Sequence, residues 1–235
     1  VKVLKANPEI VLATRAYGWF KENPNELCDT VRHLTDDTLF QPGADAIKFF
    51  FRRVGVISGF IVNAEKAKKL SSDLFDGRLY YQMYLAGMLM AEGQGYYFSD
   101  VMTLSRDTEA PDFGNAGTEK GVFTPGGYKP EGRIHMVEGL LLIAKYIEDT
   151  TKIDGVYAGI RKDLANYFYP YIRDQLDLPL YTYIKMINKF RKMGFSNEKL
   201  FYVHAFLGYV LKRRGYDALI KYIRSKKGGT PRLGI

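Results

Sequence analysis

The chain has 235 residues, which is long enough for one large domain or two small ones with a substantial core. Its single cysteine, Cys28, excludes an internal disulfide framework and a cysteine-based zinc site. No apolar run approaches the roughly 18 residues that a membrane-spanning helix needs. The first residues lack a signal-peptide pattern and begin with valine, so we expect the chain to start inside a longer protein.

The net charge of +8 is concentrated at the carboxyl end. Residues 191–235 contain 11 Lys and Arg against 2 Asp and Glu, whereas the preceding residues are nearly balanced. A localised basic region of this kind indicates a polyanionic partner surface, either anionic lipid or nucleic acid.

Short β-branched runs alternate with helical patterns in the first half of the chain, which predicts an α/β domain. The predicted strands are 9–17, 55–63 and 96–106, and the predicted helices are 1–7, 26–34, 44–53, 64–70 and 78–93.

Residues 107–132 are rich in Gly, Pro, Asn and Thr and have no hydrophobic period. Loops of this length are usually functional lids or disordered segments. From residue 133 onward the apolar spacing is helical, with a kink expected at Pro170. We therefore predict two domains, 1–132 with its lid at 107–132 and an all-helical part at 133–235.

The stretch "LFDGRLYYQ" (74–82) places Asp76 in a turn between a predicted strand-and-helix pair and an aromatic helix. Most Asp-Gly aspartates only shape a turn. A carboxylate at this position could also accept a proton from an attacking hydroxyl in a cleft. The local sequence leaves both interpretations open.

Other candidates also have two interpretations. The pair Asp36-Asp37 resembles a metal motif, but a solvated turn is favoured. His135 is either a metal or diphosphate ligand or a surface partner of Glu138, and Arg106 either binds phosphate or forms a salt bridge at the end of a strand. His204 shares a helix face with apolar residues and is expected in the core.

The helix predicted at the carboxyl end is basic and amphipathic between residues 212 and 227. Its composition suits a helix lying on anionic lipid, and equally a helix docked on its own domain. No nucleic-acid-binding module is recognisable, so nucleic acid is not expected as a partner. The apolar face contains Tyr216, Leu219, Ile220 and Ile223.

Four segments in this order resemble family 2 glycosyltransferases, most closely the bacterial abequosyltransferase-like branch, which builds surface polysaccharides such as O-antigen. They are "PEIVLATRAYGWF", "PGADAIKFFFRRVGVISGFIVNAEKAKKL", "FDGRLYYQMYLAGMLMAEGQGYYFSDVMTLSRD" and "PDFGNAG". The resemblance covers residues 1–150 and depends on the order of the elements. It implies the carboxyl-terminal, acceptor-side part of a GT-A-like mixed sheet flanked by helices, followed by an all-helical extension.

The resemblance also implies an inverting transfer from a nucleotide-sugar to a saccharide acceptor, with a carboxylate as general base. Asp76 matches the position of that base. Ser58 and Gly59 would lie near the acceptor or donor sugar, and Tyr81 and Gln82 would line the same cleft.

Arg106 and His135 become expected diphosphate contacts, and 107–132 the lid over the donor. The family's Asp-x-Asp motif for Mg²⁺ or Mn²⁺ should precede residue 1, so we expect this piece to be inactive alone. The resemblance further implies a lipid-linked acceptor and a cytoplasmic location, peripheral at the inner face of the plasma membrane.

One alternative from another functional class stays open. The aromatic run "YFYPYI" (167–172) and the basic tail could belong to a non-catalytic module that binds a polyanion or a protein partner. Clustered aromatic residues beside a kink can form a groove.

Overall fold

The computed structural model describes residues 2–76, 78–106 and 129–227. Its strands are β1 (Ile10–Phe20), β2 (Leu27–Val31), β3 (Thr38–Phe40), β4 (Ile61–Val62) and β5 (Gln94–Arg106). Its helices are α1 (Lys2–Ala6), α2 (Ala44–Arg53), α3 (Ala64–Lys69), α4 (Tyr81–Glu92), α5 (Pro130–Thr151), α6 (Val156–Asn166), α7 (Tyr169–Ile172), α8 (Leu180–Lys192) and α9 (Lys199–Lys227). Short 3₁₀ turns follow α7 at Arg173–Gln175 and α8 at Phe195–Asn197.

The five strands form one mixed sheet with β1 near its centre. The strand order is β2-β1-β5-β3, and β4 pairs with the first part of β1. Strands β1 and β5 are parallel, whereas the other pairs are antiparallel. The predicted α/β class, mixed sheet and helical carboxyl-terminal part are therefore confirmed.

Two predicted elements were wrong. Residues 26–34 were predicted as a helix, but Leu27–Val31 pairs with the end of β1, where β-branched Thr30 and Val31 suit a strand. Residues 55–63 were predicted as a buried strand, but only Ile61–Val62 pairs with β1. Gly55 and Gly59 interrupt this segment, and Gly59 has a positive φ of 77° that ends any extended run.

The chain divides into two compact units. The first contains Val1–Phe75, Tyr80–Thr108 and Ile143–Gly159, and the second contains Asp76–Leu79, Glu109–Leu142 and Ile160–Ile235. The sheet belongs to the first unit. Both compact units are discontinuous along the chain. The predicted domains, 1–132 and 133–235, stay a prediction.

The core of the first unit is built on the apolar face of α2. Phe49 and Phe50 lie edge-on to each other and contact Phe40 from β3. Gly95 leaves room for the Phe50 ring, since a Cβ there would lie 2.5 Å from the ring. This close approach fixes α2 against β5, next to the segment that carries Ser58 and Gly59.

The aromatic run 167–172 lies in the core of the second unit. Phe168 is fully buried, and its ring centroid lies 4.9–5.3 Å from four other aromatic rings. Pro170 lies in the first turn of the separate helix α7, where its missing N–H is tolerated. The expected kink is therefore a break between two helices. The four ring partners are Tyr171, Phe190, Phe195 and Phe201.

His204 is a core residue, as predicted. Its Nε2 lies 3.0 Å from the carbonyl oxygen of Asn166, which can only accept, so Nε2 carries the proton. Nδ1 then accepts from the Tyr216 hydroxyl. Burial lowers the pKa of His204, which keeps the neutral ring that this pairing requires.

The last part of α9 docks on its own unit. Tyr216 and Ile220 are buried, and Asp217 accepts two hydrogen bonds from Arg173 at 2.8 and 2.6 Å. This face matches the docked-helix interpretation of the tail, whereas Lys212 and its two arginine neighbours stay exposed. Among the helices within the described ranges, none is long and apolar enough to cross a membrane.

Candidate active site

Asp76 lies in the turn that precedes α4, and its side chain is exposed. The residue before it, Phe75, is buried against the rings of Tyr84 and Tyr146 at 5.1 and 5.4 Å. Within the described part of the chain, no hydrogen bond or ion pair engages the Asp76 carboxylate. Its oxygens can therefore accept a proton from a ligand.

Arg78 fixes the other end of this turn to α5 within the second unit. Its Nη1 donates to Nδ1 of His135 at 3.0 Å. Its aliphatic carbons pack over Gly139, where a Cβ would lie 3.4 Å from Cδ of Arg78. Because an arginine can only donate, His135 accepts at Nδ1 and is neutral, with its proton on Nε2. Arg78 is thus one partner of His135, and Glu138 is exposed.

Arg78 is a residue that the sequence analysis did not single out. The only available signal was its place two residues after Asp76 in "FDGR". The structure brings Asp76, Arg78 and His135 into one compact unit, so the predicted base and one predicted diphosphate contact belong together.

Ser58 and Gly59 occupy an exposed turn in the first unit. The N–H of Phe60 donates to the carbonyl of Ile57 at 2.9 Å, and Gly59 at the third position has φ +77°, as in a type II turn. Strand β4 runs antiparallel to β1 with Ile61 opposite Ala13, so continuing the register places Gly59 beside Arg15.

Arg15 lies directly against this turn. Its Nε donates to Oγ1 of Thr103 at 3.1 Å, and its guanidinium lies 5.0 Å from the centroid of the Tyr17 ring. A Cβ on Gly59 would lie only 2.5 Å from Nε of Arg15. Burial lowers the pKa of Arg15. The sequence signal for Arg15 was a single arginine inside the apolar run "IVLATRA".

Tyr81 and Gln82 begin α4, and only Gln82 approaches the Ser58 segment. The Nε2 of Gln82 donates to the carbonyl of Gly55 at 3.4 Å. The hydroxyl of Tyr81 accepts from the backbone N–H of Ser72 at 2.9 Å. Both side chains are half-buried. Their role in a sugar cleft stays a prediction.

Arg106 lies apart from Arg15 on the sheet. Thr103 and Arg106 are three residues apart on β5, so their side chains lie on opposite faces of the sheet. Arg106 lies on the exposed face. It donates to the carbonyl of Lys21 and forms a 3.0 Å salt bridge with Glu22. This is the alternative that the sequence left open for Arg106.

The Asp36-Asp37 pair forms a solvent-exposed turn before β3, as favoured from the sequence. Asp37 accepts hydrogen bonds from the backbone N–H and hydroxyl of Ser99, both at 2.8 Å, and the backbone bond lowers the pKa of Asp37. In residues 2–76, 78–106 and 129–227, no group of three or more His, Cys, Asp or Glu side chains could hold a metal.

Most of the predicted lid, residues 107–128, lies outside the described residues. Its last three residues, Pro130–Gly132, already belong to α5. Two surface hollows of about 370 and 290 Å³ lie along α8 and beside the start of β1. Asp76 lines neither of them.

The Ser58-Gly59 turn leads to a stability prediction. We expect Gly59→Ala to destabilise the protein by more than the roughly 1–2 kcal/mol that a left-handed conformation costs an L-residue. The added methyl group would also lie 2.4 Å from Thr103 Oγ1 and 2.5 Å from Arg15 Nε. Urea unfolding measures the loss.

Gly155→Ala is the matched control, because Gly155 has a φ of +78° and open space at its Cβ position. The difference between the two variants isolates the steric overlap with Arg15 and Thr103. Equal losses in the two variants would show that Arg15 does not lie against Gly59.

Comparison with protein-family models, with curated proteins and with solved structures found no match.

Proposed function

We propose that this chain belongs to an inverting glycosyltransferase with a GT-A-like fold. It transfers a sugar from a nucleotide-sugar donor to a saccharide acceptor. The observation that carries the proposal is the exposed, unengaged carboxylate of Asp76 in a turn that Arg78 fixes on α5. The α/β class, the mixed sheet and the order of segments resembling family 2 members support it.

The reaction requires one base and one leaving group. Asp76 removes the proton from an acceptor hydroxyl as that oxygen attacks the anomeric carbon. The bond from the anomeric carbon to the diphosphate oxygen breaks, and the nucleoside diphosphate leaves with the bonding electrons. Because attack and departure occur on opposite faces, the anomeric configuration inverts.

His135 and Arg78 supply donors on the same unit as the base. The neutral His135 carries its proton on Nε2, and Arg78 remains a cation. Both groups can stabilise negative charge on a diphosphate or on the acceptor.

We place the acceptor on a lipid carrier at the cytoplasmic face of a membrane. The exposed basic residues near Lys212 support attraction to anionic lipid, whereas the apolar face of the tail packs internally through Tyr216 and Ile220. Any contact of the 212–227 segment with lipid would therefore be mainly electrostatic, and it would weaken as salt rises.

The alternative of a binding module loses its main support. The aromatic side chains of 167–172 that would form a groove are largely buried, with Phe168 at the centre of an aromatic cluster. The basic tail alone does not favour that module over the enzyme.

A transfer assay tests the proposal. The full-length protein should release nucleoside diphosphate from a nucleotide-sugar only when a saccharide acceptor is present. NMR of the product should show an anomeric configuration opposite to that of the donor. Retention of configuration, or no transfer with any nucleotide-sugar, would contradict the proposal.

A further inference from the structure

Arg15 is a buried cation that makes few hydrogen bonds with the residues that the structure describes. Its side chain is largely enclosed, with 2% of the residue exposed. Nη1 and Nη2 make no hydrogen bond with any residue that the structure describes. Among the described residues, Nε donates to the hydroxyl of Thr103, and the guanidinium lies against the Tyr17 ring.

Such a group is unfavourable without an anion. A guanidinium stays protonated at any pH at which the protein is folded, so it cannot escape the cost by losing its charge. Burying an unpaired charge is strongly destabilising, and a cation–π contact recovers only a small part. Within the described ranges no carboxylate pairs with Arg15. A negatively charged ligand bound at the guanidinium would offset this cost.

The unpaired atoms also indicate what the ligand is. Two neighbouring Nη groups form a planar fork that matches two oxygens of a phosphoryl group or carboxylate. The cover over Arg15 is thin, because the turn Ile57–Phe60 is exposed and Ile57 is 63% accessible. A small movement of this turn would admit an anion while β1, buried from Ile10 to Ala16, stays in place.

We propose that Arg15 binds a diphosphate group, with the Ser58-Gly59 turn as the adjacent wall of that subsite. This proposal goes beyond the proposed function, because it concerns residues of the first unit alone. It assigns to Arg15 the contact that the sequence assigned to Arg106. Gly59 is required there because any side chain would displace the guanidinium.

The test is isothermal titration of the chain with inorganic diphosphate, compared with inorganic phosphate and acetate. We expect diphosphate to bind and to raise the thermal midpoint, with phosphate weaker and acetate weakest. Arg15→Met should weaken diphosphate binding by about tenfold or more and abolish the rise in midpoint, since both Nη donors are lost.

Arg32→Met is the matched control. Arg32 lies in the same unit, follows β2, and already donates through Nε to the carbonyl of Ser99 at 3.0 Å. It should bind diphosphate like the unaltered chain. Arg15→Lys, which keeps the charge but not the fork, should bind with intermediate strength and covers the case in which Arg15→Met fails to fold.

Three results would overturn the proposal: no binding of diphosphate, equal binding by Arg15→Met, or acetate binding as tightly as diphosphate. A loss of binding in Arg106→Met but not in Arg15→Met would return the role to Arg106. These outcomes are separate from the proposed function. Transfer that requires Asp76 could persist while the Arg15 assignment fails, and diphosphate could bind Arg15 in a chain that transfers no sugar.

Discussion

Asp76→Asn should lower the rate of sugar transfer by about 10²- to 10⁴-fold, the usual contribution of a general base. The amide has nearly the shape of the carboxylate but cannot take the proton of the acceptor hydroxyl. Since Asp76 is exposed and makes no hydrogen bond or ion pair with the described residues, stability and donor affinity should hardly change. Steady-state kinetics of the full-length protein measure the transfer rate, and titration with the donor measures its affinity.

Asp73→Asn provides the control for this prediction. Asp73 is also exposed and lies three residues earlier in the same irregular segment. Its amide variant should transfer sugar at the normal rate. If Asp76→Asn retains full activity, or if both variants lose activity equally, Asp76 is not the base.

Phe168→Ala should destabilise the protein by about 3–5 kcal/mol, the range for truncating a buried phenylalanine. Phe168 is fully buried and contacts four aromatic rings, so the cavity left behind cannot collapse easily. Denaturant unfolding followed by far-UV circular dichroism measures the loss.

Phe206→Ala is the matched control for Phe168→Ala. Phe206 is the same residue type on α9, but it is 68% exposed. Its truncation should change the free energy of unfolding by less than about 0.5 kcal/mol. If Phe168→Ala were equally mild but weakened binding to a polyanion such as heparin, the aromatic run would be a binding groove rather than core.

Elements with a strong local pattern were predictable from the sequence. Helix α2 matches its predicted bounds, 44–53, because apolar residues at helical spacing follow a Pro-Gly turn. Strand β2 was predicted as a helix because its own residues carry a weak strand pattern, and it is defined by antiparallel pairing with the end of the preceding strand β1, where Leu27 lies opposite Phe20. The 55–63 segment was predicted as a strand because of its apolar residues, although Gly55 and Gly59 interrupt the extended conformation.

The candidate site was predictable only in part. The Asp-Gly turn and the family resemblance identified Asp76, which is exposed in the structure, and its role as base stays a prediction. Arg78 and Arg15 were not identified, because each is positioned by a hydrogen bond to a residue far along the chain. His135 lies 57 residues from Arg78, and Thr103 lies 88 residues from Arg15.

The most direct test of the central claim is a crystal structure of the protein with a nucleotide-sugar analogue and an acceptor saccharide bound. We predict that a carboxylate oxygen of Asp76 lies about 2.6–3.2 Å from the acceptor hydroxyl that attacks. An acceptor bound elsewhere, with the Asp76 carboxylate directed into open solvent, would contradict the account.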